Sequence, residues 1–295
     1  MLRKVTSYEE YRALFLEFQK KGKLVKNYQI IDINKIKKEL PSGKIFVYIS
    51  ENSFFVLTLK HSYFNVFLYT NSYNSLKKDF INCHSDLTSL NDPIISRWHK
   101  TYSLSLSYKC DTLDHLFFEQ LKEFGFKINK KLARYTIEHS NSIRSYIDFV
   151  PHEYRNVCFA KESDAKTIMS LMTENFDLIG DCVPEYSELV ENIKKNQVVC
   201  VRDPNNQNKV IAFHYFEVIN NIYFGLFDCT DIAYRKYFIQ FAITEFMKNM
   251  SNNYSRCYAW RDVNAVRLNK FAKLNKQKED GVIIDNLECN LNSTK

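Results

Sequence analysis

Short apolar runs separated by polar turns divide the chain into strands and helices, and the second half shows the pattern most plainly. "NVCFA" reads as a short strand. "DAKTIMSLMTENF" follows as a helix with Ser163 as its cap and Ile168, Leu171 and Met172 on one face. A second helix over 184–195 has Pro184 near its first turn. "QVVCVRD", "KVIAFHYFEV" and "NIYFGLFDC" are three strands joined by the turn signals "DPNNQN" and "NN". A helix opening on "YRKYFIQFAI", the strand "SRCYAW", the helix "NAVRLNKFAKLN" and the strand "GVIIDNLE" complete the order β-α-α-β-β-β-α-β-α-β.

The first half repeats this plan. "SYEEYRALFLEFQKKG" is a helix with a capping box at Ser7 and Glu10 and a stop at Gly22. "KIFVYIS", "SFFVLTLK" and "FNVFLYT" are three hairpin-linked strands, "DTLDHLFFEQLKEFGF" is a late helix, and "LARYTIE" is a closing strand. The repetition predicts a diverged duplication with domains at 1–145 and 153–295. Each is expected to be an α/β (α+β) unit, a mixed and mostly antiparallel sheet flanked by helices.

Composition changes the picture little. A hydrophobic share of 45% and a charged share of 25% belong to a soluble globular protein. The N-terminus carries scattered charges instead of a signal peptide's apolar core, and no run is long enough to span a bilayer. A cytoplasmic protein without a membrane span is therefore expected. The 8 cysteines include no C-x-x-C pair and no zinc-type spacing to histidine, so buried reduced thiols are expected and no metal site. Charge is uneven: residues 1–152 hold 23 Lys and Arg against 15 Asp and Glu, while the remainder holds 18 against 19. The basic half suits an acidic partner. No basic motif interleaved with aromatics points to nucleic acid.

The second half resembles the GNAT superfamily of N-acyltransferases over 156–290. The resemblance rests on "TDIAYRKYFIQFAI", where the family has V-x-P-x-Y-R-G-x-G-x-G/A, and on "NAVRLNKFAKLN", where it has N-x-x-A-x-x-x-Y-x-K-x-G. Thr230, Tyr234, Arg235 and Ile239 match the first pattern, Asn264 and Lys273 the second. The whole chain resembles tandem GNAT proteins with a degenerate N-terminal half. The resemblance implies acetyl-CoA or another acyl-CoA as donor, and a small-molecule or peptide amine as acceptor. It implies a splayed strand end at Asp228, Cys229 and Thr230 for the pantetheine arm. It also implies a helix start at 235–240, with Arg235, Lys236 and Tyr237, for the pyrophosphate, with Arg267 as a further cation. Asp228, Glu217 and Asn264 are the catalytic candidates.

The sequence departs from the family where the family is most specific. Its three small residues become Lys236, Phe238 and Gln240, the tyrosine that often protonates the leaving thiolate becomes Phe271, and the helix-end glycine becomes Asn275. Glycines there let phosphate oxygens reach the main chain, and Phe238 stands in that space. Two alternatives follow. The donor is a carrier-protein phosphopantetheine, for which an acidic carrier suits the basic half, or an aminoacyl-tRNA. Otherwise the chain is a catalytically silent GNAT-fold scaffold. Among the remaining residues, His214 is expected as a satisfied core histidine and Cys229 as a packed thiol. Trp260, Arg261, Glu185 and Tyr186 lie near the expected acceptor side.

Overall fold

Ser7 caps the first helix as its sequence requires, its Oγ accepting the Glu10 backbone N–H at 3.2 Å. The computed structural model describes residues 1–21, 29, 33–90, 92, 95, 100–109, 112–137, 145–251, 253–274 and 277–291. The expected helix stops at Gly22 and Asn275 lie outside the described residues, as does the Phe271 side chain. The first half runs β1 (Leu2–Lys4), α1 (Tyr8–Gln19), α2 (Ile33–Glu39), β2 (Ile45–Ile49), β3 (Ser53–Lys60) and β4 (Tyr63–Thr70). It continues with α3 (Leu76–Ser89), β5 (Thr101–Lys109), α4 (His115–Phe124) and β6 (Lys127–Ile137). The second half runs β7 (Val157–Phe159), α5 (Ala165–Asn175), α6 (Tyr186–Lys194), β8 (Val198–Asp203), β9 (Asn206–Ile219) and β10 (Ile222–Thr230). It closes with α7 (Gln240–Ser251), β11 (Arg256–Asp262), α8 (Val266–Leu274) and β12 (Lys278–Asn290). In the first half β1, α2, α3 and β5 go beyond the expected set.

The chain forms two compact units, one of residues 1–131 with 282–295 and one of residues 132–281. The halves 1–145 and 153–295 therefore exchange their closing strands. The end of β6 pairs with β11, Cys257 to Asp262 lying opposite Ile137 to Leu132. The end of β12 pairs with β5 from Val282–Lys109 to Asn290–Thr101.

The first unit is held by aromatic packing. Phe54 is fully buried among the rings of Tyr11, Phe15, Phe18 and Tyr69, and Phe80 stacks between Phe55 and Phe124. Its strands pair antiparallel in the order β1-β2-β3-β4, and β4 meets β5 in parallel at Phe64–Tyr102 and Asn65–Ser103. Beyond Asn65 the backbone groups on that edge of β4 need other partners. The Gln29 amide supplies both kinds, donating to the Val66 carbonyl and accepting from the Leu68 N–H.

The second unit has the strand order β6-β11-β10-β9-β8-β7, with β10–β11 parallel and every other pair antiparallel. One face packs under α5 and α6 around Met172, Leu189 and Phe213. The other packs under α7 around Ile211, Phe216 and Ile243. Two local expectations change. Ser163 sits inside a 3-10 turn, Glu162–Asp164, and Asp164 ties its start by accepting the Lys161 N–H at 2.7 Å. The residues expected to open α7 form a separate 3-10 turn, Ile232–Tyr237, and α7 begins at Gln240. Asp231, whose Oδ1 accepts the Ala233 N–H, caps that turn. Arg235 and Lys236 therefore lie at the end of a 3-10 turn, not in the first turn of an α-helix. Among the described residues no helix is long and apolar enough to cross a membrane.

Candidate functional site

The parallel pairing of β10 and β11 ends at Gly225–Ala259. Beyond it β10 continues to Thr230 on β9, and β11 continues to Asp262 on β6. Neither strand pairs with the other along these ends, so they splay. A bulge between Gly225 and Phe227 shifts the β9–β10 register by one residue at the start of the splay. A bulge reverses which side chains face which side. Tyr223 faces the α7 core, whereas Phe227 and Cys229 join the α5–α6 core. Asp228 is thereby set directly opposite His214.

Three side chains meet here. His214 Nδ1 lies 2.6 Å from Asp228 Oδ1, and its Nε2 bonds the Tyr223 hydroxyl. An ionised carboxylate only accepts, so Nδ1 donates to Asp228, and Nε2 shares the second hydrogen bond with the Tyr223 hydroxyl. His214 is buried at 7% exposure, while the Asp228 side chain, deep in the fold, is 60% open to the cleft. Burial raises the Asp228 carboxyl, but the charge and hydrogen bond of His214, with the Arg261 cation, outweigh it and hold the group below the usual carboxylate range. Desolvation, with the nearby Asp228 charge, pushes the Tyr223 phenol well up, so it stays a donor. Arg261, on β11, is drawn down by burial and donates to Gln277 Oε1 at 2.9 Å. The expected core histidine is therefore satisfied, and its partner is the carboxylate that opens on the cleft.

The cleft holds about 450 Å³ and is lined by Asn175 and Phe176, by Asp228 to Thr230, by Arg235, by Phe238 to Phe241 and by Leu268. Thr230 and Cys229 contribute their main chain: the Cys229 carbonyl accepts Gln240 Nε2 at 2.7 Å, and the Thr230 carbonyl accepts Arg235 Nε at 3.2 Å. The Cys229 thiol packs in the core, pushed up to about 11 by burial. Arg235 also donates to Asn175 Oδ1 at 2.7 Å, and Lys236 lies over the Tyr237 ring. Tyr237 stacks on Tyr154 with ring centres 4.6 Å apart, against the α7 core and outside the cleft lining. Asn264 and Arg267 are exposed beside the cleft, on the approach to α8 and in it. Glu217 does not line the cleft; it accepts from the Tyr215 hydroxyl at 3.2 Å, which in turn accepts from Asn192 at 2.6 Å.

Phe238 occupies a left-handed conformation, φ 54° and ψ 31°, between the 3-10 turn and α7. That conformation favours glycine and costs another residue about 1–2 kcal/mol. The backbone thus keeps a glycine-like turn with a phenylalanine in it. The Phe238 ring is 54% exposed and lies parallel to Phe241.

A second reactive group lies away from the cleft. Cys158 and Cys200 are direct cross-strand partners with sulfurs 3.9 Å apart. The hydrogen bond from Cys200, opposed by burial and helped by Arg202, brings the Cys158 thiol down to about 6. Cys158 should therefore alkylate with iodoacetamide at a rate that holds down to about pH 6, where an ordinary thiol has lost over 99% of its thiolate. Peptide mass mapping across pH 5–9 checks this; a Cys158 profile that falls away below about pH 8 rejects it. All seven described cysteines are free thiols, and Cys182 is exposed, contrary to the expectation of burial; Cys110 lies outside the described residues. Among the described residues no group of three or more His, Cys, Asp or Glu could hold a metal ion.

No family model and no curated protein matches the sequence. Solved structures do match in fold. A tandem GNAT protein from the clavulanic acid biosynthesis pathway superposes at a TM-score of 0.59 with 7% identity, covering 100% of both chains. An Enterococcus faecalis protein of unknown function, described as a probable N-acyltransferase, gives 0.58 with 10% identity over 99% of this chain and 72% of its own. A GCN5-related N-acetyltransferase from Sphaerobacter thermophilus gives 0.55 with 8% identity over 84% of this chain and 81% of its own. At such identities the likeness shows the fold, and the fold is that of tandem GNAT proteins.

Proposed function

We propose that this tandem GNAT-fold chain is an N-acyltransferase whose second unit moves an acyl group from a thioester to an amine. The observation that carries the reading is Asp228, held by His214 at the floor of the splay and open to the cleft. The amine nitrogen attacks the thioester carbonyl, a C–N bond forms, and the C–S bond breaks as the thiolate leaves. As the nitrogen lone pair is spent, its remaining protons become strongly acidic, so a weak carboxylate base suffices. Oδ1 of Asp228 is taken by His214, which leaves Oδ2 to receive the proton. The Arg261 cation near Asp228 also favours the ionised carboxylate.

The donor is a substrate, and its two ends fit differently. The ends of β10 and β11 do not pair with each other and offer backbone groups to a pantetheine arm, as the fold implies, apart from the Cys229 and Thr230 carbonyls, which Gln240 and Arg235 hold. The start of α7 does not offer a diphosphate the cradle the fold implies, because Phe238 and Gln240 fill it. Asn264, Arg267 and Lys236 remain candidates at the rim. Thiol release from an acetyl thioester, measured over a panel of amines with the full chain, tests the reading. Amine-dependent release above the hydrolytic background is expected; release that no amine accelerates would favour the silent scaffold.

A further inference from the structure

The first turn of a helix ordinarily leaves backbone N–H groups free for an anion. At α7 the N–H groups of Phe241, Ala242 and Ile243 are already used. Phe241 N–H donates to the Phe238 carbonyl at 2.9 Å, and Ala242 and Ile243 N–H donate to the Ile239 carbonyl at 2.9 and 3.3 Å. The Gln240 side chain closes the same corner, reaching the Cys229 carbonyl and Thr230 Oγ1. Phe238, in its left-handed conformation, lines the cleft at this corner.

The rim outside this closed corner has a different character. No Asp or Glu occurs in 232–244 or in 263–274, the two segments that border the cleft, and their Arg235, Lys236, Arg267, Lys270 and Lys273 are all exposed. The same segments expose apolar side chains: Ile232 at 78%, Val266 at 75% and Leu268 at 57%. Scattered cations around exposed apolar groups complement the surface of an acidic protein better than a small diphosphate, which needs convergent donors.

Resting on the acyltransfer reading above, we infer that the donor is a phosphopantetheine thioester presented by an acidic carrier protein, recognised through its arm and its carrier and not through a diphosphate. The arm enters between β10 and β11, and the carrier rests on the basic and apolar rim. The adenosine diphosphate end of coenzyme A then adds little affinity, because no cradle receives it.

Isothermal titration of the full chain with phosphopantetheine, coenzyme A and an acidic holo-carrier protein tests this. Coenzyme A is expected within about 10-fold of phosphopantetheine, and the holo-carrier tighter than phosphopantetheine by about 10-fold or more. Lys236→Glu with Lys270→Glu should remove the carrier's advantage, and Phe238→Gly should raise the affinity for coenzyme A relative to phosphopantetheine about 10-fold. A coenzyme A preference beyond about 10-fold overturns the inference, as does a holo-carrier that binds no tighter than the arm alone or a tRNA that binds tighter than the carrier. Binding of none of the pantetheine compounds, with no thiol release, overturns the thioester reading itself, an outcome distinct from a coenzyme A preference.

Discussion

Asp228→Asn lowers the rate of amine acylation about 10²–10⁴-fold, the range expected for loss of a positioned proton acceptor, with KM for the thioester close to that of the unsubstituted chain. Asparagine has nearly the same shape, and its side-chain oxygen can still accept the His214 Nδ1–H bond, so the fold should persist. What it loses is the anionic Oδ2. His214→Gln, which disturbs the carboxylate's orientation without removing it, should cost less, on the order of 10-fold. The pH profile separates the two roles. Asp228 is held below the usual carboxylate range by His214 and Arg261 against the opposing effect of burial. Its limb therefore falls at the acid end of the profile, below the usual carboxylate range, and loss of His214 moves that limb upward. Full activity of Asp228→Asn with a normal pH profile would assign the base elsewhere; the exposed Asn264, which carries no charge, could not replace it.

How much of this was legible in the sequence depends on which contacts are local. Ser7 and Asp114 cap their helices through bonds two or three residues away, so spacing alone locates them. The hairpin at Asn220–Asn221 also follows from its turn residues. Counting outward from that turn without interruption, however, pairs His214 with Phe227. Only the bulge after Gly225 brings Asp228 across from it, and a bulge leaves little local signal. Asp228 is therefore legible as a catalytic candidate, while its pairing with His214 is not. The exchange of β6 and β12 between units is less legible still, because apolar alternation specifies a strand and says nothing about which sheet receives it. At the start of α7 the residues YRKYF continue a helical period, yet Phe238 turns left-handed, and that break is a tertiary effect. It matters because it separates Arg235 and Lys236 from the helix start at which the family resemblance sets them.

Asp164→Asn should destabilise the second unit by about 3–5 kcal/mol, the cost of leaving one member of a buried ion pair without its counter-charge. Arg202 Nη1 and Nη2 bond the two Asp164 oxygens at 2.7 and 2.5 Å, a bidentate pair with side chains only 14% and 3% exposed. Asp164 also accepts the Lys161 N–H, so one carboxylate ties β8 to the turn that starts α5. The asparagine keeps at most one acceptor for the guanidinium and removes its carboxylate counter-charge, leaving the Cys158 thiol as the remaining anionic neighbour. Replacing both partners by apolar residues, Asp164→Leu with Arg202→Met, should recover much of the loss, because the penalty belongs to the orphaned charge more than to the missing pair. With Trp98→Phe as background, Trp260 is the chain's one tryptophan and reports on the second unit. Its urea midpoint should fall by about 1–3 M in Asp164→Asn, whereas a shift near zero would mean that water screens the pair.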